Sequence, residues 1–286
     1  VGNKIICTFC LKNVHGGTVA SRSTTNADRA AGHRYARDKG WSEAVQWRTA
    51  DGILHMASMD DLPPMGWWQD WAPVRVPASF RGATSKAGWQ YLATLDEMKS
   101  YESLLEGYFL LELDLAGDVE AVLPQPLRLY FDRSRAPLTH VPDYLVLRRT
   151  GRSELVDVKG AQHASSPLNR VTFALTAEFA HRLGWTFTLV HEPTEVRYAT
   201  VKHLAGYRKV ASADLARAAS TVDRIVTDRP GQTWAQTEAA IVSSGAPAYL
   251  AAPAIGHAIW RGTVAVDLDA TLTENTALHP RGGSHG

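Results

Sequence analysis

Asp157 and Lys159 stand two residues apart in Val156-Asp157-Val158-Lys159, a stretch whose residue types read as a strand. Side chains alternate along a strand, so the acid and the base share one face and the two valines the other. The valines are expected to bury while Asp157 and Lys159 project outwards. A second acid, Asp143, follows Pro142 at the entry to the apolar run from Val141 to Arg148. Positions 143 and 157 are equidistant from position 150, which falls in a Thr150-Gly151 turn. A three-residue hairpin loop at that point places Asp143 nearly opposite Asp157. A third acid, Glu106, lies upstream on a helical pattern.

Two carboxylates held close together resist joint ionisation unless a cation sits between them. Mg²⁺ removes that penalty, because it accepts one or two carboxylates while keeping waters and phosphate oxygens, and Mn²⁺ is expected to substitute for it. Metal of this kind polarises a phosphate and acidifies water. Lys159 can hold the attacking water or neutralise charge on the reacting phosphate, and Glu106 can add an oxygen ligand or orient a water. The expected catalytic set is therefore Glu106, Asp143, Asp157 and Lys159, with the three acids as metal ligands. An Asp-x-Lys at a strand end is common by chance, and it is the combination of the three segments that carries the reading.

These residues need elements to position them. From Ser100 to Leu113, apolar residues at 104, 105, 108, 109 and 111 alternate with Glu102, Glu106 and Glu112, an amphipathic helix with Ser100 or Ser103 as its cap. Val119 to Tyr130 reads as extended, interrupted by Pro124-Gln125-Pro126; Val141 to Arg148 and Glu154 to Lys159 read as strands. A helix from Pro167 to Leu183, stopped by Gly184, precedes a strand from Trp185 to His191. Helix, three strands, helix, strand implies an α/β fold, a mixed sheet covered by helices.

The order Glu, Pro-Asp, Asp-x-Lys resembles that of the PD-(D/E)xK nuclease superfamily, with its restriction-endonuclease-like fold. The chain is more closely similar to the TnsA-type endonuclease subunit of heteromeric transposases. That likeness rests on Ser103-Leu104-Leu105-Glu106, on Phe109 to Asp114, and on Asp118-Val119. It continues through Gln125-Pro126, His140-Val141-Pro142-Asp143-Tyr144 and Val156 to Lys159. Gly184-Trp185, Leu204 to Arg208, Ile259 to Gly262 and Val266 to Leu268 complete it, over roughly residues 85–275. The resemblance implies cleavage of double-stranded DNA at transposon ends, beside a DDE-type (TnsB-like) transposase and an AAA+ (TnsC-like) ATPase regulator. It places the first acid on Glu106, the metal-binding aspartate on Asp143 and the catalytic lysine on Lys159. Gln125 matches the glutamine of the Gln-Pro motif and is a candidate for support behind the metal site. A free-standing restriction or repair endonuclease and a catalytically silent DNA-binding scaffold are the alternatives.

Three regions are expected: a basic, irregular segment over 1–80, with a helix from about Asp28 to Lys39 closed by Gly40; a nuclease core over 81–210; and a C-terminal module over 211–286. The last shows helical patterns over 213–226 and 233–243 and a strand-like end over 263–268, which suits a winged-helix-like fold. Eight Lys/Arg against three Asp/Glu give residues 1–50 a net charge of +5, whereas the C-terminal module carries five Arg against seven acids. The first fits backbone contacts to DNA; the second fits docking to a protein.

No apolar run approaches the roughly 18 residues that would span a bilayer, and the N-terminus lacks a secretory pattern, so a cytoplasmic protein without membrane attachment is expected. Cys7 and Cys10 fit no standard zinc spacing with His15 or His33 and read as two thiols in a reducing compartment. Trp67, Trp68 and Trp71 read as packing or loop-clamp residues rather than base-stacking platforms; His140 and His163 lie near the site, where a general base could stand, but read as surface or packing residues.

Overall fold

The computed structural model describes residues 26–62, 70–75, 86–132, 137–209 and 212–281. Cys7, Cys10, Trp67 and Trp68 lie outside them. The chain divides into two compact units: one of residues up to Gln90 with Met98–Gly107 and Val119–Glu192, the other of Tyr91–Glu97, Tyr108–Asp118 and Pro193 onward. Residues 193–210, grouped above with the nuclease core, thus count with the second unit.

In the first unit, α1 (Asn26–Asp38) leads into strands β1 (Glu43–Thr49), β2 (Leu54–Ser58) and the short β3 (Trp71–Ala72). The chain continues through β4 (Gly88–Leu92), β5 (Glu97–Tyr101) and α2 (Leu104–Ala116), of which residues up to Gln90, and from Met98 to Gly107, belong here. Then come β6 (Val119–Pro124), β7 (Leu127–Phe131), β8 (Leu138–His140), β9 (Tyr144–Arg148), β10 (Ser153–Val158), α3 (Ala161–Ala164), α4 (Pro167–Arg182) and β11 (Thr186–Val190).

Two principal sheets result. One has the order β11-β10-β9-β6, with β9 antiparallel to both neighbours and β11 parallel to β10. The parallel pairing requires a crossover, which α4 supplies. Ser166 caps α4 by accepting from the Asn169 N–H, Pro167 occupies the first turn, and Gly184, at φ 69°, ends it. The other sheet runs β2-β1-β7-β8, with β3 on β1. Its existence corrects the reading of residues 43–58 as irregular: β1 and β2 form an antiparallel hairpin in which Ala44, Val45, Trp47 and Met56 are buried. Trp71 is buried as expected, stacked on Trp47 with ring centroids 5.6 Å apart.

The extended stretch from 119 to 130 also divides between sheets. β6 pairs with β9, whereas β7 pairs with β1 and β8. Gln125, between them, has φ 45°, a conformation uncommon outside glycine, and it turns the chain from one sheet to the other.

The α1 helix lies on β7 through Gly32, His33 and Ala36. A Cβ at Gly32 would fall 2.3 Å from the ring of the fully buried Tyr130. Gly32→Ala gains up to about 1 kcal/mol of helix propensity and loses about 1–3 kcal/mol to overpacking, so sterics win. A lower melting temperature is expected, by about 2–4 °C per kcal/mol of net loss, and a thermal melt at or above the wild-type value would contradict this packing.

The second unit is mainly helical: α5 (Glu195–Leu204), α6 (Ala213–Asp228), α7 (Trp234–Ser243) and α8 (Ala251–Trp260), followed by the short antiparallel pair β12 (Val264–Ala265) and β13 (His279–Pro280). Val201, Leu204, Val222, Ile241 and Ile255 meet Leu111 and Leu115 of α2 in one core. The Thr233/Gln236 capping box starts α7. Residues singled out by sequence resemblance do structural work here. The Trp260 indole donates to Asp114 (3.2 Å), and His257 Nδ1 meets the Tyr207 carbonyl oxygen (2.8 Å). Among the described residues, no helix is long and apolar enough to cross a membrane.

Candidate active site

The β9–β10 hairpin follows the geometry expected from its sequence. Leu145↔Leu155 and Tyr144↔Val156 are partners, which places Asp143 and Asp157 next in line, just past the paired residues. The Arg148 N–H donates to the Arg152 carbonyl (2.9 Å), closing the loop around residues 149–151, and Gly151 takes φ 79°. A left-handed residue at that position belongs to a three-residue hairpin loop.

Both aspartates open into a cleft of about 610 Å³ in the first unit, whose lining also includes Glu106, Lys159 and His140. The expected catalytic set is therefore assembled at one place. Asp157 does not project into bulk solvent as its alternation with the valines suggested. It is 4% exposed, because β10 lies between β9 and β11 and is covered on both sides. Its Oδ2 contacts His140 Nε2 at 2.8 Å. Asp143 Oδ2 accepts from the Val158 N–H at 2.8 Å. The remaining oxygen of each carboxylate has no hydrogen bond among the described residues.

Burial above all, then the carboxylates of Asp157 and Glu106, hold the Asp143 carboxyl well above the usual range; the Val158 N–H and the Lys159 ammonium oppose this. Lys159 itself is exposed. Its backbone is tied on both sides: its N–H donates to the Val190 carbonyl (2.8 Å) and its carbonyl meets His191 Nδ1 (2.7 Å).

Glu106 has a structural task as well. Ser103 caps α2 by accepting from the Glu106 N–H at 3.2 Å, and Glu106 reaches back, accepting from the Ser103 hydroxyl (2.9 Å) and the Glu102 N–H (2.7 Å). This Ser-x-x-Glu arrangement is a variant of the capping box. Burial raises the Glu106 carboxyl, partly offset by those two hydrogen bonds. Gln125 touches the site through its backbone: its N–H donates to the Asp143 carbonyl (2.7 Å), while its buried Oε1 has no partner among the described residues.

Among the described residues, no three His, Cys, Asp or Glu side chains form a ready-made cluster for a metal ion. The donor set nevertheless fits Mg²⁺, which is satisfied by two carboxylates when water and phosphate complete its shell. Asp143 and Asp157 each keep one oxygen for such a role, and their mutual repulsion is what a cation relieves.

His140 has a larger part in the site than its sequence suggests. It was read as a surface or packing residue, yet it contacts Asp157 and packs edge-on to Phe173 at 6.1 Å. Its signal in the sequence is its place at the head of His140-Val141-Pro142-Asp143, three residues before the acid. His163 also lines the cleft, on the exposed α3. No protein-family model matches the sequence, and no curated protein matches it.

Proposed function

We propose that the chain is a Mg²⁺-dependent DNA endonuclease with a restriction-endonuclease-like core, acting at transposon ends as the TnsA-like subunit of a heteromeric transposase. One observation carries the nuclease reading: Asp143, Asp157 and Lys159 meet in one cleft, at adjacent strand ends, beside Glu106. The order α2, β6, β9, β10, α4, β11, with only the last strand parallel to its neighbour, supports the fold assignment. The transposase partners rest on the sequence resemblance.

In this reading Asp143 and Asp157 hold the cation, which when bound polarises a phosphate and acidifies water. Lys159 projects its ammonium beside the reacting phosphodiester and neutralises charge there. His140 holds Asp157 in place, and the Val158 N–H does the same for Asp143. The Glu106 carboxylate retains further lone pairs after its hydrogen bonds, so the cap is compatible with an oxygen aimed at the cation or its water. The second unit, as a docking surface of winged-helix type, would bring the nuclease to a partner that recognises the element end.

Mg²⁺ or Mn²⁺ should support cleavage of duplex DNA, Ca²⁺ should bind with little turnover, and EDTA should abolish activity. The assay uses duplexes bearing candidate element ends, with and without a DDE-type transposase and an AAA+ ATPase from the same element. Partners are expected to focus weak, indiscriminate cutting at the ends. Full activity in excess EDTA sinks the metal-dependent nuclease. Metal-dependent cutting that partners leave unfocused sinks only the transposase assignment.

A further inference from the structure

The cleft carries cations as well as acids, and they are not equivalent. Arg75 pairs with Glu102 at 2.5 Å, and the buried Arg128 donates to Gln46 at 2.7 Å and to the Tyr130 hydroxyl at 3.3 Å. Arg29 also lines the cleft, is exposed, and makes no ion pair or hydrogen bond among the described residues. It comes from α1, in the segment for which sequence resemblance offered no counterpart.

Its position is fixed by helical geometry. Arg29 lies three and four residues before Gly32 and His33, hence on the face that α1 turns to the sheet. Gly32 rests directly on Tyr130, and His33 Nε2 meets Thr139 Oγ1 at 2.8 Å. Thr139 is the neighbour of His140, which contacts Asp157. Strand β8 therefore connects the seat of α1 to the acidic site, and the first turn of α1 is held at the rim of the same cleft. A polyanion entering a cleft lined by Glu106, Asp143 and Asp157, and also by Glu102 and Glu192, needs unpaired cations around it. A guanidinium on a seated helix suits a phosphate, which it can grip with two parallel hydrogen bonds.

We propose that Arg29 binds a backbone phosphate of duplex DNA flanking the bond addressed by the acids, making α1 part of the DNA-binding surface. The inference rests on the nuclease reading above. The contact is independent of base sequence and fixes register only.

The test is the salt dependence of binding to a labelled random-sequence duplex by the full chain, in Ca²⁺, for wild type, Arg29→Ala and Arg34→Ala. Arg34 is exposed on the same helix but outside the cleft lining. Loss of one phosphate contact lowers the slope of log K against log salt by about 0.9. Arg29→Ala should show that fall with weaker low-salt binding, and Arg34→Ala should keep the wild-type slope. An Arg29→Ala slope equal to wild type overturns the proposal, as does an equal fall in both variants. A wild-type chain that neither binds DNA nor cuts it with Mg²⁺ or Mn²⁺ overturns the nuclease reading itself, a result distinct from either.

Discussion

Asp143→Asn is expected to make the metal-free protein more stable at neutral pH while abolishing the proposed cleavage of DNA. The Asp143 carboxyl is raised well above the ordinary carboxylate range, by burial first and then by the carboxylates of Asp157 and Glu106. Its folded-state value thus exceeds its unfolded value of about 3.9, so the proton favours the folded chain. This group's contribution to stability falls as pH rises from the unfolded value towards the folded one, and the loss is complete above the latter. Asparagine removes the charge and keeps an oxygen for the Val158 N–H. The variant should therefore melt higher than wild type at neutral pH, with the gap closing in acid below about pH 4. Mg²⁺ should stabilise the wild type and leave the variant unchanged. Ligand at a hundred times its dissociation constant stabilises by about 2.7 kcal/mol, a gain open to wild type and closed to the variant. Melts with and without Mg²⁺ at both pH values, alongside cleavage assays, check this. An asparagine variant that melts lower than wild type at neutral pH and keeps the Mg²⁺ shift would show that Asp143 is an ordinary structural acid.

The hairpin that carries Asp143 and Asp157 was legible because its determinants are local. Alternation, a Thr-Gly turn and a short loop fix the register without reference to the rest of the chain. Helix α4 was legible for the same reason, with Pro167 and Gly184 marking its ends. The parts that were not legible depend on distant partners. Glu43–Thr49 alternates weakly, and its place as an interior strand comes from pairing on one side with β2 and on the other with β7, more than eighty residues later in the chain. The division of β6 from β7 turns on a single residue, Gln125, in a left-handed conformation that glutamine rarely announces. Helix α8 contains Pro253 and Gly256, both poor helix formers, yet Pro253 sits in the first turn and Gly256 packs against Tyr207. The capping task of Glu106 is present in the sequence as Ser-x-x-Glu, a local pattern that coincides with its candidate place as a metal ligand. The contact between His140 and Asp157 joins β8 to β10, two strands of different sheets, and no local pattern encodes it.

Lys159→Ala should separate catalysis from folding. The side chain is exposed, and the two backbone hydrogen bonds that hold residue 159 do not involve it. Exposed substitutions of this kind usually change stability by no more than about 0.5 kcal/mol. Removing a single group that stabilises developing charge costs about 10²- to 10³-fold in rate. A loss of that size is expected in single-turnover cleavage at saturating Mg²⁺, with the carboxylates still able to take up metal in a calorimetric titration. A further consequence follows from the electrostatics of the cleft. The Lys159 ammonium is one of the groups that lowers the Asp143 carboxyl, so its removal lets that carboxyl rise further. The acidic limb of the pH–rate profile, which in the proposed mechanism reports ionisation of the acids that would hold the metal, should then move to higher pH. Lys159→Arg restores the charge without the compact ammonium. It should bring the acidic limb back towards wild type while recovering only part of the rate. If Lys159→Ala cut at the wild-type rate with an unmoved profile, the lysine would be a solvated strand end and the nuclease reading would lose its most specific residue.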